Sequence, residues 1–205
     1  MFLTDDPVIR DHIDWLLTNN LVFQKHFSKD CRINRERGED GMAGLIRIII
    51  GQQVSTAAAK SLWQKFSDKF DASDPQAIIS ADDETLRTCG LSRQKIGYVR
   101  GLAQAVIDKE IDIQSWADKP TDQVVAEITA LKGFGLWSAQ MYLMFNLARH
   151  DVWPYGDLGI QNGLAQYLGQ ENRPSEKETL AHAHLFKGRE TAAALLLWSI
   201  KDGGI

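Results

Sequence analysis

Apolar residues in this chain recur three and four positions apart almost from end to end, and no stretch alternates convincingly with period two. That spacing gathers Leu, Ile, Val, Trp and Phe on helix faces, so the expected fold is all-α. The segments that carry it are 6–17, 44–70, 81–89, 92–109, 121–131, 136–148, 158–168, 175–186 and 189–201. Ser92 ahead of Arg93, and Thr121 just after Pro120, read as helix starts. Pro75, Pro120, Pro154 and Pro174 fall between segments, where a ring that removes a donor does least harm.

At 205 residues the chain can bury a genuine core, as one domain or as two small lobes. No apolar run approaches the roughly 18 residues a membrane helix needs. Asp5, Asp6, Asp11 and Asp14 precede any apolar stretch, the wrong order for a secretory signal, so a cytoplasmic protein with no membrane partner is expected. Two cysteines, Cys31 and Cys89, are too few for a disulfide framework or a four-cysteine cluster. A net charge of -4 gives no general attraction to nucleic acid. Any contact with DNA must be local.

One such place is the stretch LKGFGLWSAQ, residues 131–140. A helix ends at Leu131, Gly133 and Gly135 are expected to take backbone angles a side chain would forbid, and a new helix begins near Leu136. The first N–H groups of that helix carry the positive end of its dipole, and glycine leaves nothing to hold a phosphate away. Lys132 adds a cation at the turn. The same pattern also suits a plain tight turn between packed helices.

A second place is DVWPYGDLGIQNGL, residues 151–164. Asp157 follows Pro154 and Gly156 and precedes a helical segment. It can serve as an ordinary N-cap or as a carboxylate presented to a ligand, and the position alone favours the cap.

Together these two stretches resemble the helix-hairpin-helix DNA glycosylase superfamily, whose signature is a Leu-x-Gly-x-Gly hairpin followed by a catalytic aspartate. The spacing from Trp137 to Asp157 matches that of the family. Upstream, IIIGQQVSTAAAKSLWQKF (48–66) and GLSRQKIGYVRGLAQAV (90–106) are similar to the alkylated-base branch, the 3-methyladenine DNA glycosylase II family. The likeness covers about 44–168 and continues weakly into the helix that carries Leu195-Leu196-Leu197-Trp198.

The resemblance implies a two-lobed helical bundle with a cleft between the lobes. Residues 44–150 would form the lobe that carries the hairpin, and 1–43 with 151–205 the other, all within one glycosylase domain. Relatives that also cut the strand have a lysine where this chain has Trp137, and those with an iron–sulfur cluster have four cysteines near the C-terminus, where this chain has none beyond Cys89. A monofunctional glycosylase acting as a monomer on damaged double-stranded DNA is therefore implied. No cofactor is required, although the family likeness brings a monovalent cation to the hairpin backbone. No metal ligands from side chains are expected.

The chemistry suits these residues. An N-alkylated purine such as 3-methyladenine or 7-methylguanine is cationic in DNA and can leave as a neutral base without a general acid. What remains is to stabilise the positive charge that develops on the sugar, which is the work of a carboxylate such as Asp157. The base must first be flipped out of the duplex. Trp137 is the candidate wall of its pocket, since an indole face attracts a cation by about 0.5–2 kcal/mol; a core role at helical spacing with Phe134 and Tyr142 is its alternative. Met141, one turn on, stands where a relative has a pocket tyrosine, and Trp153 or Tyr155 would compensate or else cover the core.

By the same resemblance the turn Gly51-Gln52-Gln53-Val54 supplies the plug for the vacated stack. Gln53 takes the wedge position, with Gln52 beside it; both could instead cross-link helices. Lys132, Gly133, Phe134 and Gly135 complete the DNA-binding set. Arg93, Lys95 and Arg100 form one basic group and Arg32, Arg35, Arg37 and Arg47 another, either of which could touch phosphate or be surface. His182 and His184 point to different helix faces and do not make a metal site. Three readings stand: the alkylated-base glycosylase, a glycosylase for another damaged base, and a non-catalytic DNA-binding module.

Overall fold

The computed structural model describes residues 2–28, 31 and 33–201, without the side chain of Lys201. Among these residues the regular structure is helical: α1 (Pro7–Asn19), α2 (Leu21–His26), α3 (Gly41–Gly51), α4 (Thr56–Ser67), α5 (Pro75–Ser80), α6 (Asp83–Thr88), α7 (Arg93–Ile107), α8 (Thr121–Ala130), α9 (Leu136–Phe145), α10 (Leu158–Leu168), α11 (Glu176–Ala181) and α12 (Glu190–Lys201). Short 3-10 turns occupy Leu3–Asp5, Ile113–Ala117 and His182–Phe186. The described residues contain no strand, only an isolated bridge between Phe2 and Glu36. The all-α expectation holds.

Three local expectations change. The run 44–70 is two helices, because Gln53 adopts φ +58 and Ser55 starts α4 as its N-cap, accepting the Ala58 N–H at 3.3 Å. Pro75 opens a helix instead of separating two; it sits at the first position of α5 behind the N-cap Asp74. Helix α2, capped by Asn20, lies outside the segments that the spacing marks. Ser92 caps α7 through the Lys95 N–H, as its position suggested.

The chain divides into two compact units, residues 38–142 and residues 1–37 with 143–205. In the first, α3 is apolar on nearly every face and buries Leu45, Ile46, Ile49 and Ile50, joined in the interior by Phe66, Val99, Trp116 and Ile128. The Tyr142 hydroxyl accepts the Gly41 N–H and donates to Asp40, which ties α9 to the start of α3. Burial, and then the Asp40 carboxylate, push that hydroxyl far above the ordinary tyrosine range.

In the second unit α12 is the central helix, with residues 191–197 buried without interruption. It crosses α10 so closely that a Cβ on Gly163 would lie 2.2 Å from the Leu197 carbonyl oxygen. Glycine at 163 is what permits that approach. Ile9, Ile13, Leu16, Phe23, Leu164 and Phe186 complete the interior. No helix among the described residues is long and apolar enough to cross a membrane.

Candidate active site

The hairpin is built on one obligatory glycine. Gly133 has φ +95, and a Cβ there would come within 2.4 Å of the Tyr98 ring. Both the backbone angle and the aromatic neighbour exclude a side chain. Gly135 differs from the expectation: its φ is not positive and a Cβ would meet nothing within 4 Å. Its glycine leaves open space in front of the turn and relieves no strain.

Phe134, placed in the DNA-binding set, turns its ring inward and is 5% exposed. It anchors the turn, with its N–H donating to the Leu131 carbonyl at 3.1 Å. Its contribution to a ligand is confined to the backbone. Lys132 is exposed, as are Leu136 and Trp137, the latter at 40%. An indole so placed can offer a face to a ligand, whereas Met141 is buried.

The two neighbouring glutamines have separate fates. The side-chain amide of Gln52 donates to the Gly133 carbonyl at 2.9 Å and to the Ser138 hydroxyl at 3.2 Å, so it straps the turn after α3 to the hairpin. This is the cross-linking role. Gln53 is exposed at the tip of the turn, in a left-handed conformation that costs a non-glycine residue about 1 kcal/mol.

Lys95 supplies a second strap: its ammonium donates to the carbonyls of Ile50 and Gln52, both at 2.8 Å, and so satisfies the end of α3. Burial pushes that ammonium below the ordinary lysine range. Arg100 is similarly engaged with Asp83 and the Ala81 carbonyl. Neither cation is a surface contact in waiting. Arg47 lies over the Trp63 ring at 5.8 Å and Arg37 donates to the Asn146 carbonyl, while Arg32 is outside the described residues.

Asp157 is the N-cap of α10: its Oδ1 accepts the Ile160 N–H at 3.0 Å. The same oxygen accepts the indole N–H of Trp198, on α12, at 2.7 Å. The carboxylate is half-buried and held in place, which a cap alone would not need. Of the aromatic residues before it, Trp153 belongs to the core, 7% exposed with its N–H on the Thr179 carbonyl, and Tyr155 is half-buried. The rings of His182 and His184 bond backbone carbonyls, and the described residues hold no cluster fit for a metal.

A family pattern described as "HhH-GPD superfamily base excision DNA repair protein" matches residues 46–187, which take in the hairpin, the turn of Gln52 and Gln53, and Asp157. The chain belongs to the HhH-GPD superfamily. Within the superfamily, DNA-3-methyladenine glycosylase 1 of Schizosaccharomyces pombe is 32% identical over 158 residues, 75% of this chain and 69% of that protein. The alkylbase DNA glycosidase-like protein mag2 of the same yeast is 32% identical over 162 residues, covering 77% and 76%.

Among solved structures, the S. pombe 3-methyladenine DNA glycosylase in complex with abasic DNA superposes with a TM-score of 0.83 at 25% identity, covering 95% of this chain and 96% of that one. A DNA-3-methyladenine glycosidase from Bacillus halodurans gives 0.79 at 26%, covering 97% and 90%. The HhH-GPD fold thus accounts for nearly the whole chain.

Two features of the site were not legible beforehand. Nothing in the order of residues ties Trp198 to Asp157, and its signal is a tryptophan closing an otherwise aliphatic run. The inward turn of Lys95 had no signal at all, since a lysine between Arg93 and Arg100 looks like surface.

Proposed function

We propose that this protein is a monofunctional DNA glycosylase that hydrolyses the N-glycosidic bond of alkylated purines, 3-methyladenine and 7-methylguanine among them, in base excision repair. The observation that carries the reading is the Asp157 carboxylate held by both the α10 N-terminus and the Trp198 indole. The names of the relatives, 3-methyladenine glycosylases in yeast and bacteria, support it.

The substrate is double-stranded DNA, met by a monomer in the cytoplasm. The hairpin N–H groups and Lys132 take phosphate, with Gly135 leaving the approach open. Gln53 fills the gap left by the flipped nucleotide. The exposed face of Trp137 stacks on the cationic base, with Met141 behind it as a soft, polarisable neighbour. As the glycosidic bond lengthens, the base leaves neutral and positive charge appears on the sugar. Asp157, already oriented, stabilises that charge and directs a water to the sugar carbon.

The monovalent cation of the family would sit on the hairpin carbonyls. Those of Leu131, Gly133 and Gly135 each accept a hydrogen bond and keep a second lone pair open to such an ion, which would add positive charge beside the phosphate.

The test is release of free bases from DNA treated with a simple methylating agent. We expect 3-methyladenine and 7-methylguanine in solution and an intact strand that breaks only after hot alkali. With Trp137 where strand-cutting relatives have lysine, no imine can form there. A covalent adduct trapped by borohydride would overturn the monofunctional assignment. Absence of any released base would overturn the reading itself.

A further inference from the structure

Asp157 is held by a residue from a different part of the chain. Trp198 donates its Nε1–H to Oδ1 at 2.7 Å across a sequence separation of 41. Its indole is in turn fixed by Phe145, whose ring lies against it with centroids 5.7 Å apart and planes inclined by 28°. The start of α10 is shaped to admit it: a Cβ on Gly159 would fall 2.6 Å from Trp198 Cδ1 and 2.7 Å from Nε1. A glycine, an aromatic stack and a hydrogen bond therefore converge on one contact.

Trp198 is half-buried, with its ring packed on Phe145 and its N–H given to the carboxylate. The choice of donor also matters. An indole N–H donates and cannot accept, so it can never take a proton from the carboxylate or offer it a competing lone pair. The bond therefore limits the rotation of the carboxylate without accepting from it.

We infer that Trp198 is the positioning residue for Asp157, holding the carboxylate in the orientation in which it meets the developing sugar cation. The inference rests on the role given to Asp157 above. A hydrogen bond to an ionised group is among the stronger ones in proteins, and an orientation fixed beforehand costs nothing at the moment of reaction. Gly159 and Phe145 act on the reaction only through Trp198.

The experiment is Trp198→Phe in the full chain, which keeps a ring against Phe145 and removes the donor. For release of 3-methyladenine from methylated duplex DNA, kcat should fall by about tenfold to a hundredfold, while KM and affinity for undamaged DNA stay within about twofold. The second measurement needs no activity and leaves Trp198 in place: the 15N–1H resonance of its indole, assigned among the six tryptophans of the labelled protein. It should lie downfield in the native chain and return toward the free-indole position in Asp157→Ala.

Full kcat in Trp198→Phe overturns the inference, and so does an indole resonance indifferent to Asp157→Ala. Should the native protein release no base, the glycosylase reading falls, and the resonance still decides the contact: a signal that follows Asp157 upholds the positioning of the carboxylate, and one that ignores it removes it.

Discussion

Two helix starts carry the candidate chemistry, and they are made in opposite ways. Helix α9 begins behind Gly135, which has no side chain to cap it, whereas α10 begins behind Asp157, whose carboxylate fills that place. A helix N-terminus favours an anion in either case. At the hairpin the anion is left to be supplied from outside, and the adjoining Lys132 and open space suit a phosphate. At α10 the protein supplies its own anion and then holds it with a tryptophan. In the proposed function the first start receives charge, and the second supplies it.

The largest effect should come from removing that source. Asp157→Asn can still accept the Ile160 N–H through its amide oxygen, so the fold should persist, yet it carries no charge. Base release from methylated DNA should fall by at least about a hundredfold, with DNA affinity unchanged or raised because a negative group no longer faces phosphate. Near-normal release would make Asp157 a cap and nothing more, and the two helix starts would no longer differ in function.

Next in size is the receptor's frame. Gly133→Val puts a β-branched residue at φ +95 with its Cβ in the Tyr98 ring, which together should cost about 2–5 kcal/mol. The loss should appear in thermal unfolding and, in the protein that remains folded, as weaker binding of damaged and undamaged DNA alike. Unchanged stability would mean that the turn tolerates a conformation these angles exclude.

A third substitution tests whether the hairpin is braced from outside itself. Gln52→Leu removes the strap and leaves the Gly133 carbonyl and Ser138 hydroxyl without that donor, a loss of about 1–2 kcal/mol since Gly133 is only half-buried. Stability measured by denaturant should show it. If Gln52 instead reads DNA, stability would hold and binding alone would suffer.

The difference between the two helix starts also explains what the sequence made legible. The hairpin is local: a glycine pair, a lysine and the next helix lie within a few residues, and their pattern is visible in order. The Asp157 site is half local. Its capping role follows from Pro154, Gly156 and the helix after it, but its bond to Trp198 joins positions that no periodicity connects. The paired glutamines make the same point at closer range. Gln52 and Gln53 are identical in type and adjacent, and what separates a strap from an exposed tip is the φ of +58 at Gln53 together with Lys95 turned inward beneath the turn. Helices α2 and α5 lie outside the segments that the hydrophobic spacing marks, although α6 and α11, no longer, lie within them.

The smallest expected effect isolates the receptor from its frame. Gly135→Ala adds one methyl where nothing lies within 4 Å and where φ is not positive, so the protein should lose no stability and could gain up to about 1 kcal/mol from a less flexible unfolded chain. The methyl nevertheless stands at the start of α9, in the space through which a phosphate would reach the first N–H groups. Affinity for duplex DNA should fall severalfold, with the same factor for damaged and undamaged sequences, because the contact proposed for the hairpin is to the backbone. A titration of both DNAs with this variant and with Gly133→Val separates the two functions of the glycines: one sets the turn, the other keeps the door open. If Gly135→Ala binds as tightly as the native chain, phosphate does not approach the helix there, and the hairpin's contribution narrows to Lys132.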